Sequence, residues 1–173
     1  MYLLQMLAVL PAAWICAAWA EGAYHRATGH DSDSILSSAA LREMHREHHD
    51  HPVDASDGEY ACMLLAVAIG LAVALAARPT CPKYARGALD ASMLVALVFP
   101  YVSWALHGEF HHPETPLAGQ GWFDYLRARH RAHHSSGGTC NFGITSPTYD
   151  LLHSTEARAR SQISRHTSAK RRE

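Results

Sequence analysis

The residues of this chain with the clearest capacity for chemistry are its histidines, which number 14 in 173 residues. Most fall into four short clusters, HRATGH, HREHH, HGEFHH and HRAHH, which contribute His25 and His30; His45, His48 and His49; His107, His111 and His112; and His130, His133 and His134. Neutral imidazole is a good ligand for iron, zinc, copper and nickel. Because residues three and four apart share one face of a helix, each H-x-x-H-H is predicted to aim its three imidazoles at one point. The clusters therefore predict a metal site.

The size of the histidine pool predicts more than one metal ion. A single H-x-x-H-H is a weak indication, since surface histidines are common and short motifs match by chance. Four clusters that converge without a metal would repel one another on protonation and would leave many ring nitrogens unpaired. Because one ion takes about four to six ligands, a pool of about ten suits two ions, each with a position open for water or substrate. The four cysteines form no C-x-x-C pair, so they indicate neither a zinc ribbon nor a disulfide framework, and a reduced compartment is the default.

Acidic residues beside the clusters are candidates for orienting the imidazole N–H groups from outside the metal site. They are Glu43, Glu47, Asp50 and Glu109. Each fits an exposed helix charge equally well. Both interpretations stay open for each of them.

Three apolar blocks, residues 1–20, 60–77 and 88–106, must position the clusters. Each is long enough to cross most of a hydrocarbon core of about 30 Å. The first is predicted to be a retained anchor rather than a cleaved signal peptide, since no Lys or Arg precedes it. The other two are predicted to form a transmembrane hairpin, because they lack the polar stripe expected of buried helices in a soluble bundle.

Basic residues predict the orientation of this bundle in the membrane. Of the 15 Lys and Arg residues, all but Arg78, Lys83 and Arg86 lie outside the hairpin loop, in the histidine-bearing segments and the tail. By the positive-inside rule, the histidine clusters are expected to face the cytoplasm. The chain is thus predicted to be a single all-α domain over 1–173, an integral membrane helical bundle with a cytoplasmic histidine-rich helical cap. The basic tail, about 156–173, is expected to be solvated or to touch lipid headgroups, and no nucleic-acid partner is expected, since aromatic platforms are absent.

The order of the motifs carries a family resemblance. H-x-x-x-x-H, H-x-x-H-H, an apolar hairpin, H-x-x-x-H-H, H-x-x-H-H and then NFGITSPTYD resemble the fatty acid hydroxylase and sterol desaturase superfamily of integral membrane di-iron oxygenases. The resemblance covers the chain from Tyr24 to about Thr155. It implies two iron ions, with O2 as co-substrate, that hydroxylate or desaturate a C–H bond of a lipid such as a fatty acyl chain or a sterol. It also implies the ligands His25, His30, His45, His48, His49, His107, His111, His130, His133 and His134.

The third motif leaves one ligand open. Relatives similar to fatty acid 2-hydroxylases use the spacing of His107 and His111, whereas carotenoid hydroxylases use H-x-x-x-x-H, which selects His112 instead of His111. Carotenoid hydroxylation is therefore the alternative activity, although NFGITSPTYDLL resembles the fatty acid and sterol branch more closely. The resemblance gives Asn141 and Asp150 a role in supporting the ligands or fixing the loop. Local chemistry fits a solvated Asx turn and a helix cap equally well.

The sequence departs from the family in ways that affect its expected partners. LLHST stands where relatives often have a phenylalanine-glycine-threonine turn, and three apolar blocks replace the usual four, so the substrate enclosure is expected to be shallower or completed by another chain. No fused haem domain is recognisable, so electrons are expected from a separate donor of ferredoxin or cytochrome b5 type with its reductase. A membrane metal transporter or metal-binding protein is the alternative of another class. It is less favoured because transport needs ligands inside the spans, where Asp90 is the only acidic residue of the hairpin.

Overall fold

The protein folds as a bundle of helices in a computed structural model that describes residues 2–53 and 58–157. Nearly all of the predicted basic tail lies outside the described residues. In the described ranges there is no strand, and the α-helices are α1 Tyr2–His25, α2 Ala39–Asp50, α3 Gly58–Ala77, α4 Arg86–His111, α5 Gly121–Ser135 and α6 Thr148–His153. A π-helical turn, Arg26–His30, continues α1, and a 3-10 turn, Arg78–Thr80, follows α3. The all-α prediction is confirmed.

Three of these segments are long and apolar enough to cross a membrane: Tyr2–His30, Gly58–Thr80 and Arg86–His111. They contain the three apolar blocks seen in the sequence. No residue of α3 is buried by protein, and large apolar side chains such as Leu65 and Val73 are 64% exposed. Apolar surface on this scale is disfavoured in water and is expected where hydrocarbon covers the helix. The three helices therefore support a membrane location for the protein.

Helix α4 is the central span, with α1 and α3 packed against it. Its buried Val95 and Phe99 pack on Ala18 of α1. The ring of Phe99 also meets Trp14 edge-to-face, with the centroids 5.0 Å apart. Small residues on α1 allow the two helices to approach closely, as is usual where helices associate inside a bilayer.

A polar cluster ties the spans together at the hairpin end. Arg78, after α3, donates two hydrogen bonds of 2.7 Å to the Asp90 carboxylate on α4. The Tyr2 hydroxyl at the start of α1 donates to the same carboxylate. Since α1 and α4 then run to the opposite end and α3 starts there, the four histidine clusters all lie at that opposite end.

A second apolar core holds the cap to the spans. Phe110 of α4 packs against Phe123 and Leu126 of α5 and against Ile144 in the loop after α5. The buried guanidinium of Arg127 donates to the carbonyl oxygens of Phe110 and His112, which satisfies acceptors left free at the end of α4. This core fixes α5, and hence its histidines, over the end of α4.

Candidate metal centre

Ten histidines meet at the cap end of the bundle and form two groups. The first histidine group comprises His25, His30, His45, His49 and His133. The second histidine group comprises His48, His107, His111, His130 and His134. Within each group, one ring nitrogen from every member lies within 4.8 Å of the others. Five nitrogens at such separations can share one central cation.

The π-helical turn explains the spacing of the first cluster. In an α-helix, residues five apart are rotated by about 140° and do not share a face. Here the backbone switches at Arg26 to i→i+5 hydrogen bonding, with the Asp31 amide donating to the Arg26 carbonyl at 2.9 Å. This geometry brings His25 and His30 together, with ring centroids 5.4 Å apart. Isolated π turns of this kind are often found at functional sites.

Each H-x-x-H-H triplet divides between the two groups, so the prediction that each aims at one point is wrong. His45 and His49, four apart on α2, face the first group, while His48 faces the second. On α5 the assignment is reversed, because His130 and His134 join the second group and His133 joins the first. On a helix, residues at i and i+4 point in nearly the same direction, whereas the residue at i+3 is rotated to the other side of that direction. Helices α2 and α5 therefore each contribute histidines to both groups.

Helix α4 supplies the remaining pair, and the choice left open in the third motif falls on His111. His107 and His111 are four apart on one face, with ring centroids 5.1 Å apart. His112 is rotated away by about 140° from His107, is exposed at the end of α4 and belongs to neither group. Its place among the candidate ligands is therefore corrected: His112 is not one of the ten.

The two groups are in direct contact. The rings of His49 and His134, one from each group, are stacked with centroids 4.2 Å apart. His48 and His49 are consecutive residues, as are His133 and His134, so the groups are joined by the backbone as well. Two cations held by these groups would be neighbours in a single centre.

Hydrogen bonds outside the first group fix which ring nitrogens face inward. The Nδ1 atoms of His25 and His133 lie 2.7 Å from the carbonyl oxygens of Phe142 and Cys140. A carbonyl oxygen only accepts, so each Nδ1 carries the proton and each Nε2 presents a lone pair. His45 is held in the same way, with Nδ1 2.8 Å from a Glu59 carboxylate oxygen.

This tautomer pattern is what a cation requires. The Nε2 atoms of His25 and His45 lie 3.3 Å apart, and neither has a proton to share. Two lone pairs at this distance repel unless a positive charge lies between them. In the second group, the buried Nε2 atoms of His48 and His107 have no hydrogen-bond partner among the described residues. Both groups thus fit a metal ion by the chemistry of their donors.

Burial keeps the rings of His48, His49, His133 and His134 neutral at pH 7. It lowers the pKa of His48 to about 3 and that of His49 to about 2, with neighbouring imidazoles adding to the effect. Burial also lowers the pKa of His133 and of His134 to about 4. Neutral imidazole is the form that binds metal, so protons compete little for the site at pH 7.

The loop after α5 orients two ligands and is itself held by buried side chains. Asp150 is fully buried and accepts from the amides of Phe142 and Gly143, from Arg129 and from Thr155. Asn141 is also buried, adopts a positive φ of 55°, and bonds the Arg129 carbonyl. Asn141 is therefore not in a solvated turn, and Asp150 lies inside α6, whose N-cap is Pro147.

The acidic candidates beside the clusters differ in position. Glu47 is exposed on α2, whereas Glu109 is partly buried, with an Oε2 atom that has no hydrogen-bond partner in the described part of the chain. Sequence reasoning missed Glu59, which holds His45, and Glu21, which is buried at the end of α1. Glu59 lies 14 residues from His45, in no recognised motif. Glu21 could have been recognised from the sequence, because it is an acidic residue that directly follows the first apolar block.

An apolar cleft leads from the bilayer region to the histidines. It has a volume of about 350 Å³ and lies between α1, α3 and α4. Its walls are mostly alanine and other apolar side chains: Ala17, Ala20, Met63, Ala66, Val67, Ala96, Phe99 and Pro100. At the cap end it shares Glu21, Tyr24 and Met63 with a cavity of about 30 Å³ that His25, His45 and His107 line. The space fits an apolar molecule with one segment next to both histidine groups.

Together, the fold and the site define a membrane-embedded helical bundle with a histidine-lined candidate two-metal centre at one end. The sequence model of the fatty acid hydroxylase family matches residues 10–155. The chain therefore belongs to this family, as its motif order indicated. No curated protein and no solved structure matches the chain in the same comparisons. Family membership supports an oxidoreductase of the lipid hydroxylase or desaturase type.

Proposed function

We propose that this protein is a di-iron oxygenase that hydroxylates, or desaturates, a C–H bond of a membrane lipid. In this proposal the first histidine group binds one iron ion and the second binds the other. The bound ions would supply the activation of O2 that no side chain can provide. The substrate is a fatty acyl chain or a sterol, and electrons come from a separate ferredoxin-type or cytochrome b5-type donor.

One observation supports this proposal above the others. Two adjoining groups of five imidazoles lie at the inner end of an apolar cleft. A metal pair suits redox chemistry, and an apolar cleft suits a substrate without charge along most of its length. Family membership adds support, because the matched region contains all ten histidines.

The chain's own residues would bind the substrate and exclude water. The alanines of the cleft leave room for an apolar chain between the spans, and Phe99 and Pro100 form the wall on α4. Met63 and Tyr24 flank the passage to the small cavity beside His25 and His107. Because this cavity has room for about one water-sized group, only a narrow part of the substrate would reach the centre.

The orientation and the partner are part of the same proposal. Only three of the 15 Lys and Arg residues lie in the hairpin loop, and the others lie in the histidine-bearing segments and the tail, which supports a centre that faces the cytoplasm. An electron donor would then dock on the cap from the cytoplasmic side.

Within the family, the position of His111 favours the fatty acid and sterol branch over carotenoid hydroxylation, because His112 points away from both groups. A metal transporter is less well supported. Its ligands would line a path through the spans, whereas these ten histidines lie together at one end.

The test is to express the chain in a host of defined lipid composition, supply a reductant and 18O2, and analyse the lipids by mass spectrometry. A gain of one 18O atom in an acyl or sterol fraction, or a loss of two hydrogens, supports the proposal and names the substrate. The double variant His133→Ala, His134→Ala removes one ligand from each group, and His112→Ala is its matched control. Equal lipid profiles for the wild type and the double variant, with iron bound to the wild type, would refute catalysis.

A further inference from the structure

Residues 140–145 form the loop that holds the inner face of the first histidine group, and this loop is clamped by two buried carboxylates. Asp150 accepts from the amides of Phe142 and Gly143 at 2.8 and 2.9 Å. Glu21 accepts from the next two amides, those of Ile144 and Thr145, at 3.2 and 2.9 Å. Four consecutive backbone N–H groups thus end on two side chains from different helices.

The Glu21 carboxylate is fully engaged. Its Oε2 also accepts from the Thr145 hydroxyl at 2.8 Å, and its Oε1 accepts from the Ser103 hydroxyl on α4. Glu21 is only 6% exposed, in the wall between the apolar cleft and the small cavity. A buried carboxylate is costly without such partners, and the hydrogen bonds from two amides and two hydroxyls offset that cost.

The clamp closes a ring through the metal site. Glu21 and His25 are four residues apart on the same face of α1. Glu21 holds Ile144 and Thr145, and two residues before Ile144 the Phe142 carbonyl accepts from His25 Nδ1 at 2.7 Å. The same loop presents the Cys140 carbonyl to His133. Both carbonyl contacts set the tautomer of a first-group ligand.

We propose that Glu21 is a positioning residue for the first histidine group, acting through the loop carbonyls that orient His25 and His133. The inference rests on the metal centre proposed above. In the described part of the chain Glu21 forms no hydrogen bond with a member of the second histidine group, so its effect is expected on one of the two ions. Hydrogen bonding to metal-ligating histidines from outside the site sets ring orientation and basicity, and losing it costs about 10- to 100-fold in metal affinity.

The experiment is an anaerobic titration of full-length apoprotein in detergent with Fe2+, read by competition with a chromophoric chelator. Glu21→Leu keeps the side-chain volume and removes every acceptor, so it is expected to bind one equivalent normally and the other about 10- to 100-fold more weakly. Glu21→Gln keeps one acceptor oxygen for the two amides and can donate to Ser103, so it is expected to restore both affinities. Asp90→Leu is the matched control, because it removes a carboxylate from a span at the opposite end of the bundle.

The 57Fe Mössbauer spectrum identifies the weakened site. The spectrum of Glu21→Leu loaded with one equivalent is expected to match that of His25→Ala and to differ from that of His107→Ala. Unchanged affinities in Glu21→Leu, or an equal loss of both ions, would overturn the inference. If circular dichroism shows that Glu21→Leu has lost its helicity, Thr145→Val is used instead, because it removes one hydrogen bond to Glu21. Weaker binding of one of the two iron ions by Thr145→Val supports the inference, and unchanged affinity for both ions overturns it. A wild type that binds no iron would refute the metal centre itself.

Discussion

His133 and His134 are consecutive on α5, yet their rings belong to different histidine groups and lie at 79° to each other. His133 is fully buried and tied to the Cys140 carbonyl, while His134 stacks on His49 at the contact between the groups. A helix places consecutive residues about 100° apart, so one short motif can serve two ions at once. The double histidine is thus the point where the two halves of the centre are joined.

The first prediction follows from this division. His133→Ala and His134→Ala are each expected to lower iron binding from about two ions per chain to about one, because each removes one of five imidazoles from a different group. The remaining iron is expected to give different 57Fe Mössbauer parameters in the two variants. Identical spectra from the two variants would contradict the division between groups.

The second prediction concerns Gly29 in the π-helical turn. A Cβ atom there would lie 2.6 Å from Cδ2 of His45, so Gly29→Ala is expected to displace that ring. The affinity of the first histidine group for iron is then expected to fall by at least about tenfold. Chelator competition measures the affinity. Gly70→Ala is the control, because a Cβ at Gly70 on α3 meets no atom within 4 Å. Equal iron affinity in both variants would show that His45 is not a ligand.

The third prediction tests the apolar cleft as the substrate site. Ala66→Trp is expected to fill the cleft and reduce lipid product by at least about tenfold, with iron content unchanged. Ala68→Trp, two residues along α3 and outside the cleft lining, is the matched control and is expected to retain activity. Product analysis and iron content are measured on the same preparations. Full activity of Ala66→Trp would place the substrate elsewhere.

The fourth prediction concerns stability. Asp150→Ala removes one of the two carboxylates that pair with the buried Arg129, leaving Glu156 at 2.6 Å, and frees two loop amides. It is therefore expected to lower the free energy of unfolding by about 3 kcal/mol. Glu43→Ala removes a carboxylate from the exposed Glu43–Arg46 pair and is expected to leave the free energy of unfolding nearly unchanged. Denaturant unfolding in detergent micelles, followed by circular dichroism, compares the two. Equal losses would show that the Asp150 network does not hold the loop.

The sequence was informative wherever a pattern repeats at a helical period. Three apolar blocks predicted three spans to within a few residues at most ends, and the cluster spacing pointed to a metal site. The C-terminal end of α1 was less predictable, because the helix continues past the apolar block and widens into a π-helical turn at Arg26.

The division of the triplets and the supporting carboxylates depended on tertiary structure. Whether His48 or His49 faces a given group depends on how α2 is rotated against α4 and α5, and one helix alone does not contain that information. Glu21 and Glu59 meet the site through contacts made across 123 and 14 residues of sequence. Their roles follow from packing rather than from local pattern.

The most direct test of the two-ion centre is to count iron. Apoprotein titrated anaerobically with Fe2+ is expected to bind about two ions per chain, with the two sites distinguishable by 57Fe Mössbauer spectroscopy once single ligands of either group are replaced. Saturation at one ion per chain, or binding that survives the replacement of His45 and His107 together, would contradict the account.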